Sequence, residues 1–165
     1  FFTYMQIDFW AGLLGTKPSL ENLEPMTLKI YEAGSNISAK QHAEAWSYFN
    51  HVGRRFGTFF QDYDLLLTPT INQMTPHIGS DLALSSKLSL ESWCDLMRKY
   101  VPQSPIANLI GIPAISVPVA SGPEGLPLGM QFFGAMGAES KLLDVAHQLE
   151  TAAPWRDRRP AVFAF

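Results

Sequence analysis

Three uncharged polar residues, Thr68, Asn72 and Gln103, stand where they could meet a ligand. Thr68 lies at the end of an apolar strand, the place where α/β sheets present ligand groups. Asn72 and Gln103 flank the same region. Thr68 and Asn72 are also turn formers, and backbone bonding in a turn is the competing use of their side chains. Gln131 projects from an otherwise apolar strand, so its amide needs an internal partner and is expected to hold a neighbouring loop. Asn108 near a helix end is expected to fix backbone in the same way. Ser116 sits inside a strand without the Gly-x-Ser-x-Gly elbow that exposes a serine nucleophile, and is expected to be packed. His42, His51, His77 and His147 form no HExxH, HxH or Cys-His spacing, so the residues support no metal site. His147 and Glu150 share a helix face as a solvated pair. No phosphate-loop, Gly-x-Gly-x-x-Gly or Ser-x-x-Lys pattern occurs.

The elements that must position these groups centre on residues 103–134. Ser104 can cap a short helix, Pro105 fits its first turn, and Gly111 stops it. Ala114 to Val119 and Leu128 to Phe133 are apolar runs too short for helices, joined by the Gly/Pro turn from Ala120 to Pro127. Both read as strands buried on two faces, at the centre of a sheet. Helices are expected over Phe1 to Leu14, Leu20 to Ala33, Ser38 to Tyr63, Leu90 to Tyr100 and Glu139 to Ala152. Ser38 and Gln41 make a capping box, and Ser89 caps the fourth helix. Trp46, Phe49, Gly53, Phe56, Phe60 and Tyr63 share one face of the third. Gly53 and Gly57 each cost about 1 kcal/mol there relative to alanine, which suggests close approach to another element. Leu142, Ala146, Leu149 and Ala153 form the stripe of the last helix. Leu65 to Leu67 is a buried strand, residues 72–86 a loop, and Trp155 to Phe165 a tail.

Composition narrows the function classes. Charged residues make up 16% of the 165, against about 25% in ordinary soluble domains, while hydrophobic residues reach 47%. The net charge is -3 with no basic stripe, which argues against nucleic acid as a partner. The opening run is broken by Gln6 and Asp8 and is too short to span a bilayer; it reads as an internal helix of a longer protein. The single cysteine, Cys94, excludes an internal disulfide and suits a reducing, cytoplasmic compartment. No repeat or linker divides residues 1–165, so one domain is expected.

The stretch from Asn108 to Glu150 resembles the C-terminal signature of the amidase signature family. The matching positions are Asn108, Gly111, Pro113, Ala114, Val117 and Pro118 in the first half. Gly125, Leu126, Pro127, Gly129, Gln131, Gly134, Glu139, Leu142 and Leu143 follow. Upstream, RRFGTFFQDYDLLLTPT is similar to the family's Asp-x-Leu-x-x-Pro-Thr strand, so the resemblance is strongest over residues 54–154. It implies an α/β fold, the C-terminal part of the amidase signature fold, with a mixed β-sheet flanked by α-helices. It implies hydrolysis of amide C–N bonds, without metal or cofactor, by a nucleophilic Ser, a second Ser in a cis peptide and a Lys base, with backbone N–H groups holding the oxyanion. The family's Gly-Gly-Ser-Ser motif and its Lys lie well upstream of this signature. No stretch here matches them, so no catalytic residue is assigned and the segment alone is expected to be inactive. On the family's pattern Thr68, Asn72 and Gln103 line one wall of the acyl-binding pocket. Relatives that bind amino-acid amides place an acid shortly before the Asn-x-x-Gly-x-Pro stretch. Tyr100, Val101, Pro102 and Gln103 offer none, which implies a small apolar or aryl amide rather than a charged amine. The low charge content fits self-association or pairing with the missing part of the enzyme. The alternatives are a non-catalytic subunit or interaction module completing a partner chain, and a degenerate homologue that kept the sheet for binding.

Overall fold

The computed structural model describes Ser19 and residues 21–159. The helix expected over Phe1 to Leu14 and the end of the tail lie outside those residues. The chain forms two compact units, Phe1–Phe49 with Thr75–Pro102, and Asn50–Met74 with Gln103–Phe165.

The first unit contains α1 (Pro25–Ser35), the first part of α2 (Ala39–Asp62), and α3 (Leu90–Tyr100). Helix α1 begins at Pro25, not at Leu20. A proline ring clashes with the preceding turn and lacks an N–H, so it fits only the first turn of a helix. Glu24 before it is accordingly extended, with φ -60° and ψ 147°. The core of this unit is Met26, Ile30 and Trp93, with Leu88, Leu90, Cys94 and Met97 packed around it. Complete burial of a side chain like Met26 stabilises by about 1.5–3 kcal/mol. Residues 72–86 are irregular as expected, and backbone acceptors in and near this stretch pin the core. Met26 N–H donates to Leu84 O at 2.8 Å, Trp93 Nε1 to Leu82 O at 3.2 Å, and Lys29 Nζ to Leu88 O at 2.7 Å. Ser89 caps α3 as expected, its Oγ accepting from Ser92 N–H at 3.2 Å.

Helix α2 carries the expected capping box. Ser38 N–H donates to Gln41 Oε1 at 2.9 Å, and Gln41 N–H to Ser38 Oγ at 3.3 Å. Its glycines do not mark close approaches. A Cβ on Gly53 would meet Ile110 at 3.6 Å, an ordinary contact, and one on Gly57 would meet nothing within 4 Å. No residue of α2 is buried, despite its aromatic face.

The second unit is built on a sheet of β1 (Leu65–Pro69), β2 (Ala114–Ser121) and β3 (Pro127–Gly134), in the order β1-β3-β2. The α/β class holds, and among the described residues the pairing is antiparallel throughout. Only β3 is central. β2 is an outer strand with Ala114 and Ser116 exposed, which corrects the expectation that both hairpin strands are buried on two faces. Its register shifts between Val117 and Ala120, around Pro118, which has no N–H to give a ladder. The turn closes with Gly122 N–H on Leu126 O at 2.8 Å, and Gly125 takes φ +77°.

Helices α4 (Ser104–Ile110) and α5 (Glu139–Ala152) complete this unit. Gly111 ends α4 in the left-handed conformation, φ +75°. The N-cap is Gln103, one residue earlier than expected, so the Ser104 hydroxyl is released for another use. Helix α5 packs on β2 and β3 through Leu142, which is 3% exposed and sits against Gly134. Lys141 Nζ meets Asp64 Oδ1 at 2.6 Å and ties the first turn of α5 to the entry of β1.

Candidate substrate-binding site

The site grows from one cross-strand row. Thr68 in β1 pairs with Gln131 in β3, and Gln131 pairs with Ser116 in β2. Directly opposed residues share a face of the sheet, so three neutral polar side chains cross it in line. Phe133, two residues along β3 on the same face, is fully buried and anchors the row.

Gln131 is 7% exposed, and its partner is the residue released from capping: Ser104 Oγ lies 3.0 Å from Gln131 Oε1. The same hydroxyl lies 3.1 Å from Thr70 O. A serine carries one proton, so it serves one of these oxygens at a time. With the Gln131 amide turned over, its N–H donates to Ser104 and Ser104 donates to Thr70 O, so the one proton of the hydroxyl suffices. In either orientation Ser104 joins the start of α4 to both β3 and the end of β1. The structural role expected for Gln131 is thus seen, and its partner is Ser104.

Thr70 and Ser116 close the row on the other side. Their hydroxyl oxygens are 2.5 Å apart. The central strand lies between them, and its residue there is Gly129. A Cβ at Gly129 would sit 2.6 Å from Thr70 Oγ1 and 3.0 Å from Ser116 Oγ. Ser116 is therefore an exposed, hydrogen-bonded edge residue, not the packed one that its strand sequence suggests.

The three expected site residues gather at this end of the sheet. Gln103 Nε2 donates to Asn72 Oδ1 at 3.0 Å, which joins the loop after β1 to the cap of α4. Gln103 precedes Ser104 directly, and Thr68 faces the Gln131 that Ser104 contacts. Thr68 Oγ1 and Gln103 Oε1 are both buried and have no hydrogen-bond partner. Such atoms cost about 1–3 kcal/mol each when left unmet. Ser104 and Thr70 were not legible as site residues, because Ser-Pro reads as a helix start and Pro-Thr as a turn.

Every side chain in this cluster is uncharged. At the other end of β1 the charged residues Asp62, Asp64 and Lys141 border a cavity of about 170 Å³. The hydrogen bond from Lys141, and then its charge, hold the Asp64 carboxyl below the usual aspartate range. That cavity touches none of Thr68, Asn72 or Gln103 and is lined by an exposed ion pair. Among the described residues no group of His, Cys, Asp and Glu is arranged to hold a metal ion. No helix there is long and apolar enough to cross a membrane.

The family model described as Amidase matches residues 7–143. The chain is 38% identical over 163 residues to the 6-aminohexanoate-cyclic-dimer hydrolase of Paenarthrobacter ureafaciens, covering 94% of this chain and 32% of that protein. It is 39% identical over 104 residues to a fatty acid amide hydrolase of Arabidopsis thaliana, covering 63% of this chain and 16% of that one. The solved structure of a 6-aminohexanoate cyclic dimer hydrolase superposes with a TM-score of 0.73 at 29% identity, over 96% of this chain and 34% of its own. The chain thus spans between 16% and 34% of the length of these relatives. With the family model covering most of its residues and the same fold in solved relatives, the chain belongs to the Amidase family, the amidase signature enzymes whose motifs it carries.

Proposed function

We propose that the chain is the C-terminal segment of a longer amidase that hydrolyses carboxylic amide C–N bonds. In this reading the Ser–cisSer–Lys set and the oxyanion donors lie on upstream polypeptide, and the reaction proceeds through an acyl-enzyme without metal or cofactor. Residues 1–165 supply part of the core sheet and one wall of the acyl pocket, lined by Thr68, Asn72 and Gln103. The substrate is a small amide whose acyl part is mainly apolar or aryl. The protein works in a reducing, cytoplasmic compartment, consistent with its single cysteine.

The observation that carries this reading is one of coverage. Nearly the whole chain aligns with an amide hydrolase, yet it fills only 32% of that enzyme. The surface agrees. Strands β1 and β2 are both outer strands, Leu67 is 51% exposed, and the aromatic helix α2 buries nothing among the described residues. Such edges and faces invite pairing with further polypeptide. The same surface supports a second reading, in which the chain is a non-catalytic subunit that completes a partner.

The test is an amide hydrolysis assay on the purified chain, alone and after mixing with the upstream two-thirds of a homologous amidase. The expected result is no turnover alone and turnover with the complementing piece. Turnover by the chain alone, retained after contaminating hydrolases are removed, would overturn the segment reading. A defined inactive complex would favour the subunit.

A further inference from the structure

We propose that Ser104 is a positioning residue: its hydroxyl sets where Gln103 and Asn72 stand, and through them how the acyl part of the substrate is seated. The inference rests on the amidase reading above and on the wall it assigns to those two residues.

Two hydrogen bonds clip the segment after β1 to the start of α4, more than thirty residues along the chain. Ser104 Oγ lies 3.1 Å from Thr70 O, and Gln103 Nε2 donates to Asn72 Oδ1 at 3.0 Å. The two points of the clip are unequal. The Gln103–Asn72 bond is exposed and joins two side chains, so water competes for both ends. The Ser104 bond is half-buried and ends on a backbone carbonyl, so it fixes the chain itself.

Both sides of the clip depend on it. Thr70 is held to the sheet, its N–H donating to Gly129 O at 3.1 Å and its hydroxyl meeting Ser116. Its carbonyl is therefore a fixed point, and Asn72 follows two residues later. On the other side, α4 has only seven residues, and its N-cap Gln103 makes no side-chain cap bond. A helix that short is not stable through its own backbone bonds. What anchors its first turn decides where Gln103 stands. Ser104 is that anchor, because its hydroxyl reaches Thr70 O and Gln131 instead of capping.

Loss of this hydroxyl leaves β1 and β3 with their own ladder, but lets Gln103 and Asn72 shift against the sheet. Contacts of a wall with an acyl chain are made alike before and during the reaction, so their loss raises KM and spares kcat. Simple destabilisation acts differently. It lowers the amount of folded enzyme, and with it the apparent kcat, at constant KM.

The experiment uses the full-length enzyme that contains this segment, with hexanoyl p-nitroanilide, hexanamide and benzamide. Values of kcat and KM are taken for each amide that the wild type hydrolyses. Ser104→Ala is expected to raise KM about fivefold or more with kcat within about twofold. Ser104→Thr keeps the hydroxyl and should hold KM within about twofold of the wild type. Gln103→Leu should raise KM as well, and adding Ser104→Ala to it should raise KM less than about twofold further, because the two act through one wall. Ser89→Ala, which weakens a helix cap in the first unit, should leave KM unchanged. A fall in apparent kcat at constant KM in Ser104→Ala, equal KM in the alanine and threonine variants, or independent effects of Ser104 and Gln103 each overturns the proposal. The amidase reading then still stands, since the wild type hydrolyses the amide. No turnover of any of the three amides by the wild type overturns both.

Discussion

Thr70 and Ser116 come from opposite edges of the sheet and meet over the central strand, their hydroxyl oxygens 2.5 Å apart. They can do so because the residue beneath them, Gly129, has no side chain. The contact couples the end of β1, where the candidate site begins, to the outer strand β2.

Gly129→Ala is therefore expected to destabilise the folded chain by about 1–3 kcal/mol, the usual cost of forcing a methyl group into filled space. Thr70→Ala should relieve part of that cost, because Thr70 Oγ1 is the nearest atom to the new methyl group. Urea denaturation of the two single variants and the double variant measures the coupling. Strict additivity would sink the claim that Gly129 is there to make room for Thr70.

Ser104 and Gln131 should respond unequally to deletion. Ser104→Ala strands a buried amide and is expected to cost about 1–3 kcal/mol. Gln131→Leu leaves Ser104 with Thr70 O as acceptor, so a smaller loss of about 0.5–1.5 kcal/mol is expected. Equal losses in denaturation midpoints at constant m-value would show that Ser104 does not bridge the two acceptors.

Acid should weaken the tie between β1 and α5. Lys141 holds Asp64 below its ordinary range, so the folded form binds the Asp64 proton less readily than the unfolded chain. The stabilisation is present above the unfolded value and is lost as pH falls through the lowered folded value. Asp64→Asn should therefore lie below the wild type in stability near neutrality and converge with it toward pH 2. The pair is exposed, so high salt should shrink the gap. A gap unchanged from pH 7 to 2 would exclude the ion pair as its cause.

Ser89 caps α3 beneath the core of the first unit. Ser89→Ala is expected to cost about 1 kcal/mol and Ser89→Gly only a few tenths. The order of the two variants in urea denaturation checks the cap, since simple loss of side-chain packing would penalise glycine at least as much as alanine.

Much of the local structure was legible because its causes act over a few residues. The Ser38–Gln41 box, the Ser89 cap, the Gly111 stop and the Gly/Pro hairpin each follow from side-chain or backbone chemistry within one turn of the chain. Glu21 to Glu24 are not helical, although the hydrophobic spacing continues into them, because Pro25 fits only the first turn of a helix. The glycines of α2 were read as packing sites, although nothing approaches Gly57. For the candidate site, Thr68, Asn72 and Gln103 could be named from their place beside a strand end, but not their bonds.

What the sequence by itself determined was the family, the order of the elements and the neutral character of the polar groups around β1. Tertiary structure alone decided that β2 lies at an edge, that Ser104 turns from capping to Gln131, and that Thr70 reaches Ser116. The reason is distance along the chain. Alternation of apolar residues reports that a strand exists, but its neighbours are set by partners such as Ser116, which lies 46 residues from Thr70. Which polar atoms stay unpaired, Thr68 Oγ1 and Gln103 Oε1, depends on all those pairings at once.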